Sequence, residues 1–281
     1  MAFERATAEA LYPLAMKDIA KNYFVCYSIN TPQSYAAVWQ LKEDDKPIIG
    51  VFLRKTGIVQ IIQEPGIIID NYKDDLALLL GKIQWKQAFV TSPLKMLIQG
   101  MQMESRVHDG AFIAACTPNQ YHPRILLSEK PTKNELSNID LTLSGLTIKA
   151  LSIDDLDDVI AIYLEVFKGF ASYDYMVEKL KSGRGRAIGG YADGNLVTVA
   201  QSDYECSDSA IVVGVATRIT SQGKGYGRLC FEHLCNQLIL MDKKTVYLQY
   251  DAPVAGALYK SLGFENVEQI FHVEKIEEVN R

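Results

Sequence analysis

Ser209 to Leu229 reads SAIVVGVATRITSQGKGYGRL. Ala210 to Ala216 is an apolar run rich in β-branched residues, which predicts a strand buried on both faces. Tyr226, Leu229, Cys230, Leu234, Leu238 and Met241 then recur at three- and four-residue spacing, so Gly225 to Leu240 reads as an amphipathic helix packed on that strand. Gly223, Gly225 and Gly227 lie at the junction. Bare backbone at a helix start exposes amide hydrogens where the helix dipole is positive, and such a turn binds anions, phosphates above all. No glycine stands five residues before Gly223 and no Ser or Thr follows Lys224, which excludes a Walker loop. The spacing is not the G-x-G-x-x-G dinucleotide fingerprint either.

The chain of 281 residues is long for one domain and comfortable for two. Its hydrophobic content of 48% and charged content of 22% are ordinary for a globular chain with a sizeable core, so disorder is not indicated. A net charge of −5 argues against nucleic acid as a partner, while leaving room for a local site for one phosphorylated ligand. The first 24 residues are broken by Glu4, Glu9, Lys17 and Asp18 and do not read as a signal peptide, and no segment approaches a membrane span. Five cysteines among mostly apolar neighbours fit reduced thiols in a cytoplasmic protein. Cys230, His233 and Cys235 read as helix packing, with no metal site expected. His108, His122 and His272 stand apart from any nucleophile motif. Lys181 to Arg186 follows a helical pattern and reads as a helix-ending turn at Gly183.

In the first half, Thr7 to Lys21 reads as a helix, followed by strands at Tyr23 to Ile29, Tyr35 to Leu41, Pro47 to Leu53 and Ile58 to Ile62. Helices at Asp74 to Leu80 and Ser92 to Met101 then alternate with strands at Ala88 to Thr91 and Gly110 to Cys116. The second half runs in a similar order. A strand at Leu146 to Leu151 precedes helices at Asp154 to Phe167 and Tyr173 to Lys181. A hairpin follows around Asp193-Gly194, then the strand, glycine loop and helix quoted above, and a strand at Thr245 to Tyr250. Residues 122–145, with two prolines among Ser, Lys, Asn and Glu, read as a linker with its boundary near Ser144. The expected domains are therefore 1–121 and 146–281. The first is either a second copy of the same architecture that lacks the glycine loop or an unrelated α/β cap.

Gln222-x-x-Gly225-x-Gly227 after a strand resembles the Arg/Gln-x-x-Gly-x-Gly/Ala signature of the GNAT N-acetyltransferase superfamily. Downstream, DAPVAGALYKSLGFENV resembles the family's N-x-x-A-x-x-L-Y-x-x-L-G-F helix. Ala255, Leu258, Tyr259, Leu262, Gly263 and Phe264 match, whereas Ala252 stands where the family has Asn, with Asp251 beside it as a partial substitute. The resemblance spans residues 146–275. It implies an α/β (α+β) fold with a mixed, mostly antiparallel sheet flanked by helices, beside which the N-terminal domain is either a degenerate GNAT-like copy or an unrelated α/β cap. It also implies acetyl-CoA as co-substrate, without a metal, and transfer of an acetyl group to a primary amine of a small molecule or peptide. The alternatives are a non-catalytic acyl-CoA sensor and a structural protein with an empty loop; a homodimer fits any of these.

Under that resemblance Gln222, Gly223, Lys224, Gly225, Tyr226, Gly227 and Arg228 hold the pyrophosphate, and Val215, Ala216 and Thr217 meet the pantetheine arm. Lys224 is equally well read as a solvated charge. Gly214 inside a strand suggests a bulge, which would turn the Val215 amide toward the reacting carbonyl as an oxyanion donor. Tyr259 occupies the position of the tyrosine that protonates the leaving thiolate or simply bonds its sulfur. The strand carries no carboxylate, so the base is water or one of Asp203, Glu205 and Asp251, the first two reading as surface turn residues.

Overall fold

The computed structural model describes residues 2–29, 35–101, 105–124, 141–143, 145–167, 169 and 172–276. Most of the expected linker, Ser144 included, lies outside them. The chain divides into two compact units, Met1–Ile113 with Asn266–Arg281, and Ala114–Glu265. The expected division at 121 and 146 differs from this one at both ends, since the C-terminal strand belongs to the first unit.

Unit 1 begins with β1 (Glu4–Arg5), α1 (Tyr12–Met16) and α2 (Ile19–Ile29). The meander β2 (Tyr35–Glu43), β3 (Lys46–Arg54) and β4 (Ile58–Gln63) follows. Then come α3 (Lys73–Lys82), β5 (Gln87–Thr91), α4 (Ser92–Gly100) and β6 (Ser105–Cys116). Tyr23 to Ile29 is thus helix where a strand was expected. Its aromatic and β-branched residues favour a strand, but Ile19, Asn22, Val25, Cys26 and Ile29 are buried at helical spacing, and the Asp18 carboxylate accepts from the Lys21 amide at the helix start. Packing overrides propensity there.

Unit 2 holds β7 (Leu141–Leu143), β8 (Leu146–Ala150), α5 (Leu156–Phe167), α6 (Tyr173–Ser182), β9 (Ala187–Ala192) and β10 (Asn195–Asp203). It continues through β11 (Ser209–Thr217), α7 (Tyr226–Leu240), β12 (Thr245–Tyr250) and α8 (Pro253–Lys260). A capping box between Ser152 and Asp155 starts the first helical turn before α5, and left-handed Gly183 ends α6. Asp193 and Gly194, both at positive φ, make the tight turn between β9 and β10. The last strand, β13 (Glu265–Lys275), closes unit 1.

Within unit 1 the strand order is β1-β2-β3-β4-β5-β13-β6, and within unit 2 it is β12-β11-β10-β9-β8-β7. β4 with β5 and β11 with β12 pair in parallel, each with a helix crossing over between the neighbours, whereas β1 to β4, β5 with β13, and β7 to β11 pair antiparallel. Both units therefore run through two helices, a three-strand meander, a crossover helix, a parallel strand and a further helix. In β13, Phe271 pairs with Val90 and Val273 with Ala88, and both side chains enter the core of unit 1. Alternation in the sequence predicts such a strand but cannot name the sheet it joins.

Candidate functional site

β11 is as enclosed as its composition predicts at its start and at Ala216, but not in its middle. Ala210, Ile211 and Val212 are buried, while Val213, Gly214 and Val215 are half-exposed. The parallel ladder with β12 runs from Ser209↔Thr245 to Val212↔Leu248 and stops, although both strands continue. Beyond Val212 they part, and the middle of β11 opens into that gap.

The expected bulge is there. The β10–β11 register slips between Val199↔Ala216 and Gln201↔Val213, so Gly214 and Val215 together oppose Ala200. Gly214 has φ +61°, a conformation glycine adopts at little cost. The Tyr163 hydroxyl donates to the Gly214 carbonyl oxygen at 2.7 Å. Ala216 points its methyl into the core with Tyr163 and Leu196. The Thr217 hydroxyl meets that of Thr198 at 2.8 Å, and Thr198 donates to the Ala216 carbonyl.

The loop to α7 is exposed from Gln222 to Gly225 and half-exposed from Tyr226 to Arg228. Gly223 and Gly225 have φ of +78° and +83°, and nothing lies within 4 Å of where a Cβ would stand on either. Gly227 is needed for a different reason, because a Cβ there would sit 2.7 Å from Thr217 Oγ1. Gly225 is the N-cap of α7 and no side chain caps that helix, so the first-turn amides of Tyr226, Gly227 and Arg228 have no intrahelical partner. That arrangement fits a phosphate group. Gln222 donates through Nε2 to the Thr217 carbonyl at 3.1 Å and closes the turn on itself. Lys224 Nζ stands 5.9 Å above the Tyr226 ring. Arg228 is engaged within the protein, by buried Glu232 at 2.6 Å and Ser261 Oγ at 2.8 Å.

Two residues not foreseen from the sequence anchor the start of the loop. Glu165, on α5, accepts from Arg218 Nη1 at 3.1 Å and from the Ile219 amide at 2.6 Å. Arg218 Nε also donates to the Leu196 carbonyl. Glu165 lies on the helix that carries Tyr163; the only sequence signal for that pair is a phenol on the apolar stripe Leu156, Val159, Ile162 and a carboxylate beside it.

Tyr259 is buried on α8, its ring 5.0 Å from that of Phe231 and 5.7 Å from that of Tyr250. Phe231 lies five residues into α7, about 8 Å along the axis from the helix start. The same helix therefore carries the glycine loop at its tip and Tyr259 on its flank. Among the described residues the Tyr259 hydroxyl has no hydrogen-bond partner, and burial pushes its pKa well up. In the L-G-F segment, a Cβ on Gly263 would stand 1.7 Å from the Gln120 carbonyl, and the Leu262 carbonyl accepts from the His122 amide. Leu262, Gly263 and Phe264 are packing residues.

Asp203 and Glu205 are not surface turn residues. Asp203 is 0% exposed and accepts from Tyr175, Arg184 Nε and the Tyr204 amide. Glu205 takes a two-pronged hydrogen bond from Arg186 at 2.8 and 2.7 Å and another from Ser202. Each is held by an arginine 19 residues away in sequence, which local composition does not show. Asp251 is exposed, and Ala252 caps α8 without a side-chain hydrogen bond. Cys230, His233 and Cys235 are buried in α7, and among the described residues no cluster of three or more metal-ligating groups occurs.

No protein-family profile matches this chain, and no curated protein matches it either. Solved structures do. A GCN5-related N-acetyltransferase from Kribbella flavida superposes with a TM-score of 0.62 at 15% identity, covering 96% of this chain and 94% of that one. A GNAT-family acetyltransferase from Colwellia psychrerythraea gives 0.64 at 10% identity, covering 98% and 100%. The chain has the GNAT fold. A tandem GNAT protein from the clavulanic acid biosynthesis pathway, with a TM-score of 0.64 at 13% identity, covers 97% of this chain and 98% of its own. The GNAT likeness thus extends over both units and agrees with the repeated order of elements. No helix among the described residues is long and apolar enough to cross a membrane.

Proposed function

We propose that unit 2 binds acetyl-CoA and transfers its acetyl group to a primary amine of a small molecule or peptide by direct attack. The observation that carries this reading is the pairing of a bulge at Gly214–Val215 with an uncapped, three-glycine helix start on the same strand–helix connection. The amides of Gly225 to Arg228 meet the pyrophosphate, and Lys224 adds charge at the rim. Arg228, neutralised by Glu232, contributes by holding the first turn of α7 rather than by binding phosphate itself. Val215 to Thr217 run along the pantetheine arm where β11 and β12 part.

Attack of a neutral amine on a thioester places negative charge on the carbonyl oxygen. The Val215 N–H is the fixed donor for that charge. The leaving thiolate has an intrinsic pKa of about 8.5. A phenol whose pKa burial has raised stays protonated and gives up its proton reluctantly, so Tyr259 serves better as a hydrogen-bond donor to the sulfur than as a full proton donor. With Asp203 and Glu205 committed to ion pairs, the amine proton leaves to water or to Asp251. The buried and half-buried thiols fit a reducing compartment, the cytoplasm.

That commitment of the nearby carboxylates favours one second reading, a non-catalytic acyl-CoA sensor. Calorimetric titration with CoA and acetyl-CoA, followed by mass spectrometry of an amine panel, separates the two. Binding with an added acetyl group on an amine supports the enzyme, binding without turnover supports the sensor, and no binding removes both.

A further inference from the structure

Tyr163 stands against the bulge without a role in the mechanism above. Its side chain is 7% exposed, and its hydroxyl donates to the Gly214 carbonyl at 2.7 Å. The contact is close enough that a Cβ on Gly214 would lie 2.2 Å from the phenol oxygen, so only glycine fits beside the tyrosine there. Gln201 is a buried neighbour that bears electrostatically on the phenol, but its Nε2 makes no hydrogen bond among the described residues. Gln201 Oε1 in turn accepts from Lys179 Nζ, and both of these side chains are buried. Burial lowers the Lys179 pKa to about 8, so at neutral pH Lys179 is still a cation beside Gln201.

A trans peptide is planar, so fixing its carbonyl fixes the direction of the N–H across the same bond. Within that geometry the hydrogen bond from Tyr163 determines where the Val215 N–H points. An amide whose oxygen accepts a hydrogen bond is also a stronger donor at nitrogen, because the two ends of the peptide group polarise one another.

We propose that Tyr163 is a positioning residue for acyl transfer: through the Gly214 carbonyl it aims and strengthens the Val215 N–H that holds the thioester oxygen. This rests on the acetyl-CoA reading of unit 2.

The test uses the full chain with acetyl-CoA carrying 13C at the thioester carbonyl, and needs no knowledge of the acceptor. Binding is measured by calorimetry, and polarisation of the carbonyl by its difference infrared stretch and 13C resonance. In the wild type the bound carbonyl is expected at lower frequency than the free one. In Tyr163→Phe the affinity stays within about twofold while most of that shift is lost. Site-specific 3-fluorotyrosine at position 163, a more acidic phenol of nearly the same shape, is expected to enlarge the shift, a graded response that a purely packing role would not give. A wild-type complex whose carbonyl is unshifted, or equal shifts in all three proteins, overturns the role of Tyr163 and leaves the acetyl-CoA reading intact. Failure of the wild type to bind acetyl-CoA overturns that reading and the inference together.

Discussion

The two units pass from the last strand of the meander into the crossover helix by different chemistry. In unit 2, β11 breaks its ladder at Gly214 and Val215, and α7 begins on glycines with no side-chain cap. In unit 1, β4 pairs with β3 without interruption from Ile49↔Gln63 to Leu53↔Val59. Its helix α3 begins with Asp74 and Asp75 in the first turn, after a 3-10 turn that contains Asp70. Carboxylates at a helix start satisfy the dipole from within and repel a phosphate. Neither helix start has a side-chain cap; the one in unit 2 is bare glycine, whereas its repeat sets two carboxylates beside the positive pole. The backbone path is shared; the composition of about four residues separates a candidate anion site from a structural crossover.

The largest effect is expected from Gly225→Trp. It places a bulky side chain at φ +83° in the mouth of the loop and is expected to weaken acetyl-CoA by on the order of 100-fold or more, measured by calorimetry. In the same titration the wild type should bind one CoA per chain; a second equivalent would mean that the acidic crossover of unit 1 also takes the ligand, and the contrast would fail. Gly214→Ala comes next. A left-handed alanine and a displaced Tyr163 are expected to cost roughly 1–3 kcal/mol, read as a lower denaturation midpoint.

Acid should act on α7 more than on α3. Burial lowers the pKa of His233, so the unfolded chain takes up a proton more readily than the folded one. The stability this group contributes is present above its unfolded pKa of about 6.5 and is lost as the pH falls below it. His233→Gln should flatten that part of the stability curve between about pH 7 and 5, as followed by urea titration at each pH. The smallest effect is expected at the other helix, where Asp74→Asn or Asp75→Asn removes a dipole-compensating charge. A loss of about 0.3–1 kcal/mol each, measured at low salt, would confirm that unit 1 uses these carboxylates in place of an anion.

Local features of the site were legible before any coordinates. A glycine in the middle of IVVGVAT marks a bulge because nothing else in that run needs one, and three glycines before an amphipathic pattern mark an open helix start. What escaped depends on contacts far apart in sequence. Glu165 reaches Arg218 and Ile219, and Tyr163 reaches Gly214, across more than 50 residues. Asp203 and Glu205 look like turn carboxylates until Arg184 and Arg186 are seen to pair with them. Tyr23 to Ile29 has the composition of a strand and became a helix because one stripe of it is buried. Repetition of the elements was readable, but exchange of the last strand into the first unit was not, since pairing across sheets leaves no periodic trace.

That exchanged strand bears on how the protein is made. Residues of unit 1 up to Ile113 leave the ribosome first, yet Phe271 and Val273, which fill their core, arrive only after the whole of unit 2 has been translated. At about 5–20 residues per second the delay is on the order of 10–30 s. Throughout that interval β5 lacks its β13 partner and presents an unpaired edge, the kind of surface that pairs with other chains. Unit 2, contiguous in sequence, can fold during the wait, so the order of synthesis finishes the unit with the glycine loop first and leaves the unit begun earliest to close last.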